Sequence, residues 1–209
     1  IISDSLEVDR FSGIGFTSTG VNGAALTDDG KVVVFGTQPE EWGRDISEIK
    51  NELVDVDQIF HNRISFAALK KDGSVISWGG FAKQSEDIKS KLQKDVTKVF
   101  SSRDAYAALK KDGSIVFWGV ISDSNKDTKI DSEIKGNYIN IFPQAQSFVL
   151  QKEDGSIEIY GDSHIKKSFQ GQFVNVLTAN EYIYGKGSTF AALKADGSVL
   201  TFGGNTNPT

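Results

Sequence analysis

Few residues in this chain could carry out chemistry, and their spacing argues against catalysis. The two histidines, His61 and His164, are expected to lie in different loops. Neither stands where a Ser-His-Asp or His-carboxylate pair would be recognised. There is no cysteine, so thiolate nucleophiles, disulfides and thiolate metal sites are all excluded. Gly185-Lys186-Gly187-Ser188-Thr189 has the flavour of a phosphate loop. A phosphate loop, however, sets Lys directly before Ser or Thr at the opening of a helix, whereas here Gly187 intervenes and a strand is expected to follow. No catalytic residue, cofactor or metal site is therefore expected. What remains suits recognition. Tyr182 and Tyr184 alternate around Ile183 ahead of Lys186, a possible stacking platform for a sugar or peptide, or else a hairpin that packs over a short preceding connector. His61, Asn62 and Arg63, then Arg103 and Asp104, then Gln144 occupy three short polar segments, and Trp42 beside Arg44 is either an exposed anchor or a buried ring.

The elements that position these residues are written in a repeated phrase: GAALTDDGKVVVFG, FAALKKDGSVISWG, YAALKKDGSIVFWG, FVLQKEDGSIEIYG and FAALKADGSVLTFG. Its turn glycines, Gly30, Gly73, Gly113, Gly155 and Gly197, are spaced by 43, 40, 42 and 42 residues, the length of one propeller blade. Each unit reads as an inner, a middle and an outer strand followed by a connector. The middle strand is apolar without alternation, as in Phe66-Ala67-Ala68-Leu69, which fits a strand covered on both faces. Asp-Gly joins middle to outer strand in a tight hairpin, expected to place positive φ at the central positions. Ile59-Phe60, Val99-Phe100, Ile141-Phe142 and Val176-Leu177 mark inner strands. Trp78-Gly79, Trp118-Gly119 and their counterparts close outer strands with a ring able to wedge between blades. The connectors are polar. Asp45 to Leu53 is expected to be a short helix with Asp45 and Glu48 at capping-box spacing, and Ile88 with Leu92 predicts another.

These observations predict an all-β fold, a β-propeller of five blades with three to four antiparallel strands each and short helical connectors. A single domain over 1–209 divides at about 1–36, 37–79, 80–119, 120–161 and 162–203. At this length a fold can bury roughly 70% of its unfolded surface without staples. The charge balance, 23 basic against 28 acidic residues, gathers no basic strip, so nucleic acid is not an expected partner. No apolar run is long enough to insert in a membrane. A chain that begins at Ile1 and contains no methionine is expected to be a processed product or one domain of a larger chain or assembly.

FAALKKDGSVISWG and YAALKKDGSIVFWG resemble the repeat of the regulator of chromosome condensation family, in particular its shorter bacterial and protist relatives built on an "AFAALKEDGSVVTWG" unit, similar to the β-lactamase inhibitory propellers. The resemblance spans all five copies and implies a β-propeller, normally of seven blades. Five units leave two readings open, a closed five-bladed ring or a segment of a longer array. Guanine nucleotide exchange and nucleosome docking, known in the family, find no basic strip here and are not carried over. The inhibitory relatives bind proteins through loops between inner and middle strands, which here are the segment after Phe16, His61–Ser65, Ser101–Ala105, Pro143–Ser147 and Thr178–Thr189. Variation there against a constant scaffold reads either as a recognition surface or as tolerated loop drift. The expected function is a non-catalytic recognition module, not an enzyme, binding a protein or glycan through this loop face in an extracellular or cell-surface setting. The alternative is a structural spacer or assembly subunit.

Overall fold

A computed structural model describes residues 22–36, 45–123, 126–161, 164–178 and 190–202. Their strands form five separate antiparallel sheets, each a meander in chain order. The first holds β1 (Asn22–Leu26) and β2 (Val32–Gly36). The second holds β3 (Val56–His61), β4 (Phe66–Lys70) and β5 (Val75–Trp78). The third holds β6 (Val96–Ser101), β7 (Ala105–Lys110), β8 (Ile115–Asp123) and β9 (Lys126–Ile134). The fourth holds β10 (Tyr138–Pro143), β11 (Phe148–Lys152), β12 (Ile157–Gly161) and β13 (His164–Phe169). The fifth holds β14 (Phe173–Thr178), β15 (Phe190–Lys194) and β16 (Val199–Phe202). The inner strands touch in succession, β3 against β6, β6 against β10 and β10 against β14, as blades do around an axis.

Each sheet has a forward face and a rear face because side chains alternate along a strand. In the second sheet Ala67, Leu69 and Val75 point forward into one core with Val96, Val99, Tyr106, Ala108, Val116 and Trp118 from the rear of the third sheet. The rear of the second sheet (Val56, Ile59, Phe66, Ala68 and Trp78) packs on Ala24 and Val32 of the first. The same forward-on-rear contact joins sheets three and four, and sheets four and five. A middle strand with no apolar alternation is thus explained: both of its faces lie between sheets. The rings that end outer strands pair with the ring that opens the middle strand. Phe66 stacks on Trp78 at 5.4 Å and Tyr106 on Trp118 at 5.2 Å. Phe117 of the third sheet stacks on Tyr160 of the fourth at 3.8 Å, tying one blade to the next.

The Asp-Gly turns differ from the expectation. Only the glycine has positive φ, between 77° and 87° in the five copies. In the second sheet the Gly73 N–H donates to the Lys70 carbonyl and the Lys70 N–H to the Ser74 carbonyl, a type I turn followed by a glycine bulge. The aspartate has another task. Asp72 Oδ1 accepts from both the backbone N–H and the hydroxyl of Ser74, at 2.8 and 2.6 Å, and Asp112, Asp154 and Asp196 repeat the pattern on Ser114, Ser156 and Ser198. The glycine also meets the next blade: the Val96 N–H donates to the Gly73 carbonyl, Tyr138 to Gly113, and Phe173 to Gly155.

Three connectors also differ from their reading as polar linkers or helix. Residues 45–53 form successive turns, with Ile49 N–H to Ile46 carbonyl and Glu52 N–H to Ile49 carbonyl, and Asp45 accepts from the Ser47 N–H in place of a capping box. The polar stretches after the third and fourth outer strands are fourth strands, β9 and β13. The first is held by Ile130, which is fully buried against the fourth sheet. The helix expected around Ile88 is present as α1 (Glu86–Lys91), capped by Ser85, with Ile88 and Leu92 buried against the third sheet.

Candidate functional site

The inner–middle loops of sheets two, three and four are built alike. In each, the first loop residue donates its backbone N–H to the carbonyl of the residue three further on: Asn62 to Ser65, Ser102 to Ala105 and Gln144 to Ser147. The side chain of that first residue completes the brace. Asn62 Oδ1 accepts from the Ile64 N–H and the Ser65 hydroxyl, Gln144 Oε1 accepts from the Ser147 hydroxyl, and Ser102 donates to the Ala105 carbonyl. Asn62 and Gln144 are buried, so they shape the loop from within.

Charge is concentrated where the second and third loops meet. Asp104 is 2% exposed and accepts from Arg63 Nε at 2.9 Å on one oxygen, while Arg103 Nε lies 3.6 Å from the other. The Arg63 backbone N–H also donates to the Arg103 carbonyl, so the two loops are stitched across the blade boundary. Ser65 and Tyr106 approach at 3.3 Å beneath them. Burial pushes the Tyr106 hydroxyl well above its ordinary range, partly offset by the Ser65 hydrogen bond. The guanidinium side chains of Arg63 and Arg103 remain 39% and 32% exposed. A buried carboxylate thus accepts a hydrogen bond from Arg63 and lies within ion-pair distance of Arg103, placing two partly exposed guanidiniums side by side at the surface. His61 stands beside them at the end of β3, half-buried, its Nδ1 3.4 Å from the Asn62 carbonyl.

Of the residues singled out in the sequence, the structure therefore brings together His61, Asn62, Arg63, Arg103 and Asp104, and sets Gln144 in the equivalent loop of the next sheet. Tyr182, Tyr184, Lys186 and Trp42 lie outside the described residues, as do the loop after Phe16 and nearly all of Thr178–Thr189. His164 opens β13 rather than lying in a loop. By sequence Ser65 falls in the second loop and Tyr106 on a middle strand, but a serine and a middle-strand aromatic carry no signal of their pairing beneath the site.

Other chemistry is sparse. Among the described residues no three His, Cys, Asp or Glu side chains gather as a metal would need, and no helix is long and apolar enough to cross a membrane. A cleft of about 470 Å³ lies on the outer side of the second sheet, between the Asp45–Ile49 turns and Gly79–Lys89. Its lining of Asp45, Glu48, Lys83 and Lys89 has mixed charge and no titratable pair poised for proton transfer.

No family model matches the sequence, and no curated relative is detected by sequence. Solved structures do share its architecture. Human WBSCR16 matches over 88% of this chain and 59% of its own, with a TM-score of 0.55 and 15% identity. Prp20p from Saccharomyces cerevisiae, in a structure described with its binding properties to Gsp1p and histones, matches over 88% of this chain and 56% of its own, with a TM-score of 0.51 and 14% identity. The chain thus spans somewhat less than three-fifths of the length of either. At such identity the likeness is one of fold, and the fold it establishes is the β-propeller.

Proposed function

We propose that this chain is a non-catalytic protein-recognition module that uses the inner–middle loop edge of its blades as the contact surface. The observation that carries the reading is the arginine pair anchored on buried Asp104 and shared between two blades. Organising two guanidiniums in advance removes part of the ordering cost that flexible surface side chains bring to an interface. Arginine is also enriched among residues that dominate binding energy. The partner chemistry is an exposed carboxylate cluster on another protein. Support of a general kind comes from Prp20p, whose structure is described with its binding to other proteins. A glycan reading would rest on Tyr182 and Tyr184, and the loop-edge arginines give it no support.

The test is affinity capture with chemical cross-linking, comparing the natural chain with Arg63→Glu/Arg103→Glu. A specific partner cross-linked to the second or third loop and lost with the double variant supports the reading. A partner retained unchanged, or cross-linked only elsewhere, overturns it. Equal thermal melts of the two proteins would show that the variant is folded.

A further inference from the structure

The outer strand of the third sheet runs on past the loop edge, which those of the second and fourth sheets do not. A middle strand begins at that edge, so the outer-strand residue paired with its first residue marks the rim. In the third sheet Ala105 pairs with Gly119, and the Val120 N–H donates to the Asp104 carbonyl at 2.9 Å just beyond. From there β8 continues with β9 alone, pairing Val120 with Lys129, Ile121 with Thr128, Ser122 with Asp127 and Asp123 with Lys126. Four residues of β8 therefore stand past the rim, a reach of about 13 Å at the ordinary rise of a strand. In the second sheet β5 stops at Trp78 and the chain turns into a short 3-10 helix at Gly80–Ala82, and in the fourth sheet β12 stops at Gly161.

This projecting ribbon has two unlike edges. Its outer edge is β9, whose Lys126, Asp127, Lys129 and Asp131 are the kind of charged residues that discourage further pairing at an edge strand. Its inner edge is β8, where Val120, Ile121 and Ser122 carry no charge. Val120 turns its N–H toward Asp104, so Ile121 turns toward β9 and Ser122 turns back to the inner side, where β7 has already ended. Among the described residues no main-chain group pairs with Ser122 there. The root of this edge is fixed on the arginine site, because the residue whose carbonyl takes the Val120 N–H is also the one whose buried carboxylate takes Arg63 and lies 3.6 Å from Arg103 Nε. A Cβ on Gly119, whose φ is 106°, would come to 2.6 Å from that same carbonyl oxygen, so glycine is what lets ribbon and loop approach this closely.

We propose that the inner edge of β8 above the rim accepts an extended acidic segment of the partner protein as an added strand, with its carboxylates on Arg63 and Arg103. This mode of binding rests on the protein-recognition reading and adds to it the form of the partner. Main-chain groups left open along an extended edge are satisfied by another extended main chain, while alternate side chains supply specificity. A segment antiparallel to β8 runs in the direction of β7 and descends toward Asp104, which brings its C-terminal half to the arginines. Two guanidiniums against one carboxylate leave that spot positive, so acidic side chains are attracted and basic ones repelled.

Fluorescence anisotropy of the full chain with two labelled hexapeptide libraries tests this, one with glutamate and one with lysine fixed at alternate positions. The glutamate library is expected to bind and the lysine library is not. Ser122→Pro removes an N–H that faces the inner edge and leaves the β8–β9 ladder intact. It is expected to weaken binding about tenfold, through one lost main-chain bond and a clash with the added strand. Ser122→Thr keeps the N–H and is expected to bind like the natural chain, and near-ultraviolet circular dichroism of the buried Trp118 checks that both variants fold. The best glutamate peptide is expected to lose binding when N-methylated at one alternate set of residues and to keep it when methylated at the other. Equal effects of the two methylation patterns, or binding that needs the arginines yet is indifferent to Ser122→Pro, overturn strand addition and leave the protein-recognition reading standing. Binding that survives Arg63→Glu/Arg103→Glu overturns both. A glutamate library that binds no better than the lysine library overturns the acidic strand, whereas a protein partner cross-linked to the second or third loop would still uphold recognition.

Discussion

Asp72, Asp112, Asp154 and Asp196 each hold their carboxylate on the serine two residues ahead, and that hydroxyl hydrogen bond, with the serine N–H second, keeps all four below the usual carboxylate range. A group whose folded value is depressed stabilises the fold above its unfolded value, near ~4, and that contribution fades as pH falls through the folded value. The chain is therefore expected to lose stability on acidification below about pH 4. Ser114→Ala is expected to raise the Asp112 titration midpoint and flatten this acid dependence, as carboxyl-carbon NMR and urea melts at several pH values would show. An unchanged Asp112 midpoint would mean that the hydroxyl is not what holds the carboxylate. Asp29 reaches about 2 by a different route, chiefly the hydrogen bond from Lys31 and then that from Thr27, because this first turn has lysine where the others have serine. Asp104 is a different kind of carboxylate, buried and shared by two arginines. Asp104→Asn is expected to cost about 1–3 kcal/mol, because the buried oxygens lose charge-assisted bonds while both guanidiniums retain access to water. A lower urea midpoint at unchanged slope would register it.

At the scale of elements, the middle-to-outer turn does two jobs, reversing the chain and docking on the next blade, and glycine substitution can separate them. Gly113 and Gly197 have similar positive φ, 77° and 87°. Alanine at Gly197 should cost only the left-handed conformation, about 1–2 kcal/mol. Alanine at Gly113 carries the same cost and in addition drives a Cβ to 2.7 Å from the Gly136 carbonyl, so it is expected to be more damaging by at least about 1 kcal/mol. Equal losses in chemical denaturation would mean that the docking contact contributes nothing. The hairpins themselves were legible in the sequence because Asp, Gly and the flanking apolar runs recur at one spacing. The turn type was not, since Asp-Gly serves both a two-residue turn and a glycine bulge. Three to four strands per blade were expected, but which connectors become the fourth strands β9 and β13 was not legible, for a physical reason. Lys126-Asp127-Thr128-Lys129 reads as a solvated connector, and a single buried Ile130 is too small a signal against four polar residues. Likewise Arg63 and Asp104 could each be picked out as polar loop residues. Their pairing across 41 residues is created by the stacking of blades and has no local trace.

In the whole molecule, stability is a sum over blades and the boundaries between them, as in other repeat arrays. The third sheet is covered on both faces, and Tyr106, Phe117 and Trp118 are completely buried there. Phe117→Ala should accordingly cost about 3–5 kcal/mol, since it removes a ring stacked on Tyr160 and opens a cavity at a central boundary. Among the described residues the first and fifth sheets each pack on one neighbouring sheet, where the third packs on two. Local opening should therefore begin at the ends and reach the centre last. Amide hydrogen exchange of the dilute chain is expected to show β1, β2, β15 and β16 exchanging at least about tenfold faster than β7, β8 and β11. Uniform protection across all five sheets would show instead that the first and fifth sheets are held as firmly as the central ones.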